Sequence, residues 1–515
     1  MFDALKSLGA TIARRIPEGF AGRTFTFAAV IAAAILAGMQ FLSPDARVLQ
    51  TAAGGFIVLL AFRFRSIEGL MLAVLFLPFP KGTSYGNTNV AFILLIFMVW
   101  LFRVTTRRAE PPGRTPLDVP IIGLVMAYCL SFYNVQPVYF SIAWGLFIGF
   151  LTYLLIYFMV IAVVKSTEEV QKLLFVQTIS CVLMCVLALY ELRFPGTILI
   201  PGWISFAQTP GGHGSGVRVG STFLDYELFG EYCALNLFLQ MFLFTRAKTQ
   251  SRRYMILAIM GLTLFCLFST VTRGAILSFM VGAGYLMWLS RHRLNFVRLV
   301  MIFALVIPLG VGADYVVANF TNSDSVLERL FGTELKGGVP ETRSEVWAQS
   351  FASVLRSPWI GHGPYMAPRV GVHVQYWPHN VYIFYAYITG AFGLTFFLWF
   401  LWGLWRASRP RALSLGSGTY IEGATLLSRV LLFTFMIDQI KIEYLRNGTY
   451  SFFIWYLFGL IYAINHAARL EALAGVPATR GSTEPQLTRT PARPDRIAKR
   501  PPVPRVSARP AVPYP

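Results

Sequence analysis

Apolar residues fall along this chain in long runs and not in short alternations. A run of about 20 apolar residues crosses the hydrocarbon layer as a helix, with its backbone polar groups satisfied internally. Hydropathy places such spans near residues 24–42, 48–62, 67–80, 89–102, 119–135, 139–164, 173–191, 225–245, 254–271, 274–290, 298–318, 380–404, 421–440 and 449–465. Strands of a barrel would alternate in polarity, and these runs do not. The second and third are short enough to form one re-entrant hairpin, so about 12–14 transmembrane helices are expected. The polar stretches divide the chain into a basic N-terminus (1–23), a membrane block (24–318) interrupted by a loop at 193–224, a large loop (319–378), a second membrane block (379–465) and a tail (466–515).

Composition agrees. With 515 residues, 56% hydrophobic and 13% charged, and a mean hydropathy of +0.58, the chain has more apolar surface than a soluble core could use. Charge then gives the orientation. Most of the 44 Lys and Arg fall in alternate connections, from Lys6–Arg23, Arg63 and Arg65 through Lys165 and Lys172 to Arg406–Arg411 and the tail. Such connections stay on the cytoplasmic side during insertion, which puts both termini inside and the loops 193–224 and 319–378 outside. The net charge of +20 then follows from topology and anionic lipid, with no nucleic-acid partner implied.

The basic N-terminus leads into a run too long for a signal peptide and without a small-residue cleavage site, so it reads as the first membrane helix. Cys129, Cys181, Cys185, Cys233 and Cys266 all fall inside spans, as packing residues without a disulfide or zinc pattern. From about Gly475 the tail is rich in Pro and Arg, cannot bury enough apolar surface to fold, and is expected to be disordered. The fold expected is therefore an all-α, polytopic integral membrane protein with a helical outer loop and a disordered cytoplasmic tail.

Candidate chemistry gathers on the outer side. The first loop contains "TPGGHGSGVRVGSTF", whose glycines allow close backbone approach and which displays Arg218 near the next span. In the second, "ETRSEVWAQSFASVLRSPWIGHGP" has Thr342 and Glu345 at capping-box spacing, then Val346, Trp347, Phe351, Val354 and Leu355 at helical intervals. This predicts an amphipathic helix on the outer membrane surface that starts at Arg343. An arginine there faces the positive end of the helix dipole, at a cost of roughly 0.3–1 kcal/mol, so stability does not ask for it. An anion would. At "LFSTVTRGAILSFM", Thr270 or Thr272 can cap a helix entering the membrane, with Arg273 in its first turn. Helix start plus guanidinium is a receptor for phosphate. His379 and Asn380 stand at a third helix start, in "WPHNVYIFYAYITGAFG".

These elements resemble, in order, those of the bacterial O-antigen ligase and polysaccharide polymerase superfamily. The His-Asn pair with Gly390 and Gly393 is similar to its His-Asn…Gly-x-x-Gly spacing, and "TRGAILSF" to its Ser/Thr-Arg-Gly element. The stretch "RSEVWAQSFASVLRSPWIGHGP" is similar to its Arg…Trp…Gly-x-Gly loop element, which brings in Trp347, Gly361 and Gly363. The stretch "RVGSTFLDYELFGEY" is similar to its Arg-x-Gly-Thr-Phe segment, from which an inserted Ser221 and an Asp in place of Asn-Pro depart. The resemblance runs from about Arg218 to Gly393 and implies transfer of a glycan from undecaprenyl pyrophosphate, at the periplasmic face of the bacterial inner membrane, to an acceptor hydroxyl on a lipid or glycan. It also implies that Arg273 and Arg343 bind the pyrophosphate, that His379 is essential, and that Arg218 supports them, with Asn380, Trp347, Gly361 and Gly363 on the substrate side.

His379 as general base and arginines as charge stabilisers make an inverting transfer without cofactor or metal the expectation. Asp225, Glu227 and Glu231 are the acids that could instead hold a metal. His213, His362 and His373 match no zinc spacing. Arg429 and Asp438 lie within one span, about 13 Å apart along its axis, and need separate partners. Ligase and polymerase differ only in acceptor, and the His-Asn…Gly-x-x-Gly spacing favours the ligase. The alternative of another class is a lipid-linked oligosaccharide flippase, for which internal repeats and charges along a central path are expected.

Overall fold

A computed structural model describes residues 66–76, 88–111 without 108, 113–194, 196–200, 204–205, 218–293, 343–365 and 378–473, with helical positions at 312, 315 and 319. The expected spans 24–42 and 48–62, most of 298–318, the capping threonine Thr342, the histidines His213 and His373, and the tail beyond 473 lie outside the described residues.

The helices follow the hydropathy closely. They are α1 (Ser66–Leu75), α2 (Thr88–Thr105), α3 (Asp118–Ser131), α4 (Phe140–Val163), α5 (Thr167–Arg193), α6 (Tyr226–Arg246), α7 (Gln250–Ser269), α8 (Arg273–Leu289), α9 (Arg343–Arg356), α10 (Val381–Ala407), α11 (Tyr420–Asp438) and α12 (Gly448–Leu473). Seven of them are long and apolar enough to cross a membrane, and four others are shorter apolar helices. The protein is an all-α, polytopic membrane protein. One departure lies in the loop 193–224, where β1 (Ile198–Ile200) pairs antiparallel with β2 (Ile204–Ser205). The run is too short to show a strand period in the sequence.

Local chemistry fixes where the helices begin. Ser166 and Glu169 form a capping box at α5, and Thr419 and Glu422 another at α11, each satisfying two N–H groups that the helix cannot. The last helix continues past the predicted end at 465. Its outer turns still pack, because Ala467 and Ala468 are buried.

Helix α12 is central. Its most apolar window is 94% buried inside the bundle, against 28% for α7, and it packs on α4, α11, α5 and α10. Trp455 supplies much of that contact, with ring centroids 5.8 Å from Phe150 and 5.3 Å from Phe400. Around it, α10 lies along α3, α6 along α7 and α11, and α8 against α6 and α11. Several polar side chains in the apolar interior pair with one another. Gln177 donates to Tyr232 and Asn236 (both 3.1 Å), and Gln240 donates to Thr263 (2.9 Å). In lipid an unpaired amide is costly, so these bonds lock α5, α6 and α7 in one register. Cys181, Cys185, Cys233 and Cys266 are buried and free, while Cys129 is exposed.

Arg429 and Asp438 find separate partners. Arg429 lies over the Trp405 ring (3.2 Å to the centroid) and donates to the Trp405 carbonyl, to Ser408 (3.3 Å) and to Tyr285 (3.4 Å). Asp438 pairs with Lys441, Nζ to Oδ1 2.6 Å.

Candidate active site

The loop bearing Arg218 is held on three sides. Gly220 and Ser221 donate their N–H groups to the buried Glu191 carboxylate at the end of α5 (3.0 and 2.6 Å). The Val219 N–H bonds the Ser269 carbonyl at the end of α7 (3.2 Å), and Asn447, just before α12, donates to the Phe223 carbonyl (2.7 Å). The inserted Ser221 is buried at φ +50°, with its hydroxyl bonded to the Met184 carbonyl (2.9 Å). It turns the chain so that Arg218 lies over the Tyr226 ring, 4.7 Å from its centroid. The Arg218 Nε is buried and has no hydrogen-bond partner among the described residues.

Asp225 then caps α6, accepting from the Glu227 and Leu228 N–H groups (2.9 and 3.1 Å). That places Glu227 in the first turn. Its Oε2 lies 3.7 Å from Nδ1 of His379, beyond a hydrogen bond but well within electrostatic reach. Glu231, one turn deeper and buried, accepts from Gln439 Nε2 (3.1 and 3.0 Å). The three acids singled out for a metal thus have three different neighbours.

Arg273 begins α8 after a tight turn in which Val271 has φ +49°. Thr272 occupies the cap position as expected, but its hydroxyl does not cap. The turn is so short that this hydroxyl points back, to the Thr270 carbonyl (3.1 Å) and the Tyr226 carbonyl (3.4 Å). The bond to Tyr226 sets the start of α8 beside the start of α6. Lys441 lies against the next residue, Gly274: a Cβ added there would meet Lys441 Cε at 2.5 Å and Nζ at 2.6 Å.

His379 stands at φ +47° directly before α10. Asn380 is the cap of that helix: its Oδ1 accepts from the Tyr382 and Ile383 N–H groups (3.0 and 3.1 Å). Its Nδ2 donates to the Ile440 carbonyl (2.8 Å), and the Val381 N–H bonds the Gln439 carbonyl (3.0 Å). The start of α10 is thereby sewn to the end of α11. From the other side Trp347 of α9 donates its indole N–H to the Pro378 carbonyl (2.7 Å). Arg343 is the first residue of α9, and its side chain lies outside the described residues.

Gly361 and Gly363 meet protein backbone. The His362 and Gly363 N–H groups bond the Tyr387 and Ile388 carbonyls (2.9 and 3.0 Å), and the Ala391 N–H bonds the Pro358 carbonyl (2.7 Å). These bonds fill the break in α10 at Gly390 (φ +65°). A Cβ on Gly361 (φ +69°) would lie 2.5 Å from the backbone of Ile388 and Thr389. Nearby, His362 Nε2 is 2.7 Å from the Ser353 carbonyl.

Four of the non-glycine residues with positive φ, Ser221, Leu224, Val271 and His379, therefore sit in these loops at one end of the bundle. Strained backbone of this kind persists only where its surroundings over-determine it, and it concentrates at functional sites. The structure brings together the Arg218 loop, the Arg273 turn and the His379 helix start. Sequence reading did not find the Glu227–His379 pairing or Lys441. The residues that meet are far apart in the chain: the start of α6 meets the start of α10 at Glu227 and His379, and the end of α11 meets α8 at Lys441 and Gly274.

Residues 258–398 match the family model described as O-antigen ligase. No curated protein matches the chain. The match begins within α7 and ends within α10, so it takes in the segment from Arg273 to Asn380 and leaves out Arg218, Glu227, Asp438 and Lys441. Over residues 258–398, somewhat more than a quarter of its length, the chain is similar to the O-antigen ligase family.

Proposed function

We propose that this protein transfers a glycan from undecaprenyl pyrophosphate to an acceptor hydroxyl at the periplasmic face of the bacterial inner membrane, as an O-antigen ligase acting on lipid A-core. The observation that carries the reading is the meeting, at one end of the bundle, of the Arg218 loop, the Arg273 turn and the His379 helix start, with Glu227 at 3.7 Å from the imidazole. The opposite end carries Arg246, Lys248, Arg291 and Arg409. Positive charge stays on the cytoplasmic side, which supports a periplasmic site and cytoplasmic termini.

The chemistry is a single displacement. The acceptor oxygen bonds the anomeric carbon as the bond from that carbon to the diphosphate oxygen breaks, so the configuration inverts. The electron pair leaves with undecaprenyl pyrophosphate, whose growing charge meets the guanidinium groups of Arg273, Arg343 and Arg218. The hydroxyl proton passes to Nε2 of His379. A carboxylate beside Nδ1 favours the tautomer with its proton there and stabilises the imidazolium that forms. Trp347, Asn380, Gly361 and Gly363 act as positioning residues, since their polar atoms or backbone are committed to holding Pro378 and α10.

Transfer is metal-independent in this scheme, because arginines supply the positive charge while Asp225 caps α6 and Glu231 accepts from Gln439. Activity should survive EDTA; loss on chelation with rescue by Mg²⁺ or Mn²⁺ would overturn this part. The ligase assignment is tested by a deletion strain whose glycans are run on a gel. Unattached long chains are expected. Chains stopped at one repeat would make the protein a polymerase, and an unchanged pattern would contradict both.

A further inference from the structure

Lys441 is unusual for a lysine at a membrane boundary, because its side chain is 20% exposed and its partner Asp438 is fully buried. A boundary lysine ordinarily reaches outward to headgroups. This one is drawn inward, Nζ to Asp438 Oδ1 2.6 Å, and its stem lies across Gly274. On one side of it is the first turn of α8 with Arg273. On the other, the preceding carbonyls of Gln439 and Ile440 are bonded to Val381 and Asn380, next to His379. Asp438 is its only ion-pair partner among the described residues. An ammonium has three N–H donors, so donors remain on a group that is partly open to solvent.

The glycine of the Thr-Arg-Gly stretch gains a physical reason from this geometry. A Cβ at 274 would meet the flexible end of Lys441, Cε at 2.5 Å and Nζ at 2.6 Å, so glycine leaves the space in which that end lies against the first turn of α8. A structure that needed only to neutralise Asp438 would not require the ammonium to lie against the helix start that carries the arginine.

We propose that Lys441 is a further diphosphate-binding residue, held by Asp438 beside Arg273 so that ammonium and guanidinium grip the same leaving group. This rests on the glycan-transfer reading above. Lys441 lies outside the segment matched by the family model, and no motif in the sequence marks it.

The test uses the full chain in proteoliposomes, with an undecaprenyl-pyrophosphate-linked glycan as donor and KM and kcat measured for Lys441→Met, Lys441→Arg, Asp438→Asn/Lys441→Met and Arg273→Ala. Thermal unfolding of each variant reports folding. Loss of one charge-assisted hydrogen bond should raise the donor KM about 10- to 100-fold in Lys441→Met, with partial recovery in Lys441→Arg. The double variant restores charge balance in the interior, so it should fold yet stay as impaired toward donor as Lys441→Met. Wild-type donor KM in the double variant would overturn the proposal, since Lys441 would then serve only to neutralise Asp438. If Arg273→Ala is inactive while Lys441→Met is normal, this proposal fails and the glycan-transfer reading stands. If both behave as wild type, both fail.

Discussion

His379 is held in left-handed backbone and given a carboxylate neighbour, and its two flanking residues absorb the structural duties. Pro378 takes the Trp347 bond and Asn380 takes the cap, so neither of these two duties falls on the imidazole. His379→Ala should therefore lower transfer by about 10²- to 10⁴-fold, as for removal of a general base, and Arg273→Ala by about 10²- to 10³-fold, with thermal unfolding close to wild type in each. Glu227→Gln should slow transfer less than His379→Ala, because a 3.7 Å carboxylate tunes the imidazole and does not replace it. Asn380→Ala should act on stability. It removes the α10 cap and a bond to α11, a loss of about 0.5–2 kcal/mol for the cap alone, visible as a lowered unfolding temperature in detergent. Arg218, Arg273 and His379 were legible in the sequence as candidates because a charge at the mouth of an apolar run stands out. Glu227 was legible only as one of three acids. Its place beside His379 depends on how the first turn of α6 meets the start of α10, which no local pattern records.

At the scale of elements, the junction between α10 and the 357–363 segment is held by backbone hydrogen bonds. Gly361 and Gly390 both have positive φ; a Cβ on Gly361 would meet the Ile388–Gly390 backbone and one on Gly390 the Trp359–Ile360 backbone, so neither can accept a side chain without moving main chain. Gly361→Ala should give protein that folds poorly or unfolds at clearly lower temperature, measured by detergent thermal shift. Wild-type stability in that variant would contradict the packing described. The helix α9 shows what periodicity leaves open. Its apolar positions predicted one face, but Val346 is buried with Ser350 and Ser353, whereas Phe351 and Leu355 are exposed. Small serines allow α9 to lie close on α10, and the large apolar residues are left to face outward, as suits a helix at a lipid surface. Hydropathy reports that a face is apolar and not which partner, protein or lipid, it meets.

For the whole molecule, span positions within the described residues were readable because the hydrocarbon layer imposes a length on every crossing helix. Neighbour relations were not. That α10 lies along α3 and α12 sits at the centre follows from aromatic and small-residue packing between distant segments. The same packing collects the site at one end and much of the positive charge at the other. Cysteine introduced at Leu224, exposed at the site end, should react with a membrane-impermeant maleimide in intact spheroplasts, and cysteine at Lys248 should react only after lysis, both in a Cys129→Ser background. The reverse pattern would place the site inside the cell.

The measurement that bears most directly on the account is glycan transfer in proteoliposomes, with lipid-linked donor and acceptor supplied on the site face so that no flipping is needed. Wild-type protein should form the glycan–acceptor product, and Arg273→Ala and His379→Ala should form little or none at equal protein. Product formation that is unaffected by either substitution, or that proceeds equally well in liposomes without the protein, would contradict a diphosphate-gripping transferase and return the chain to a transport role.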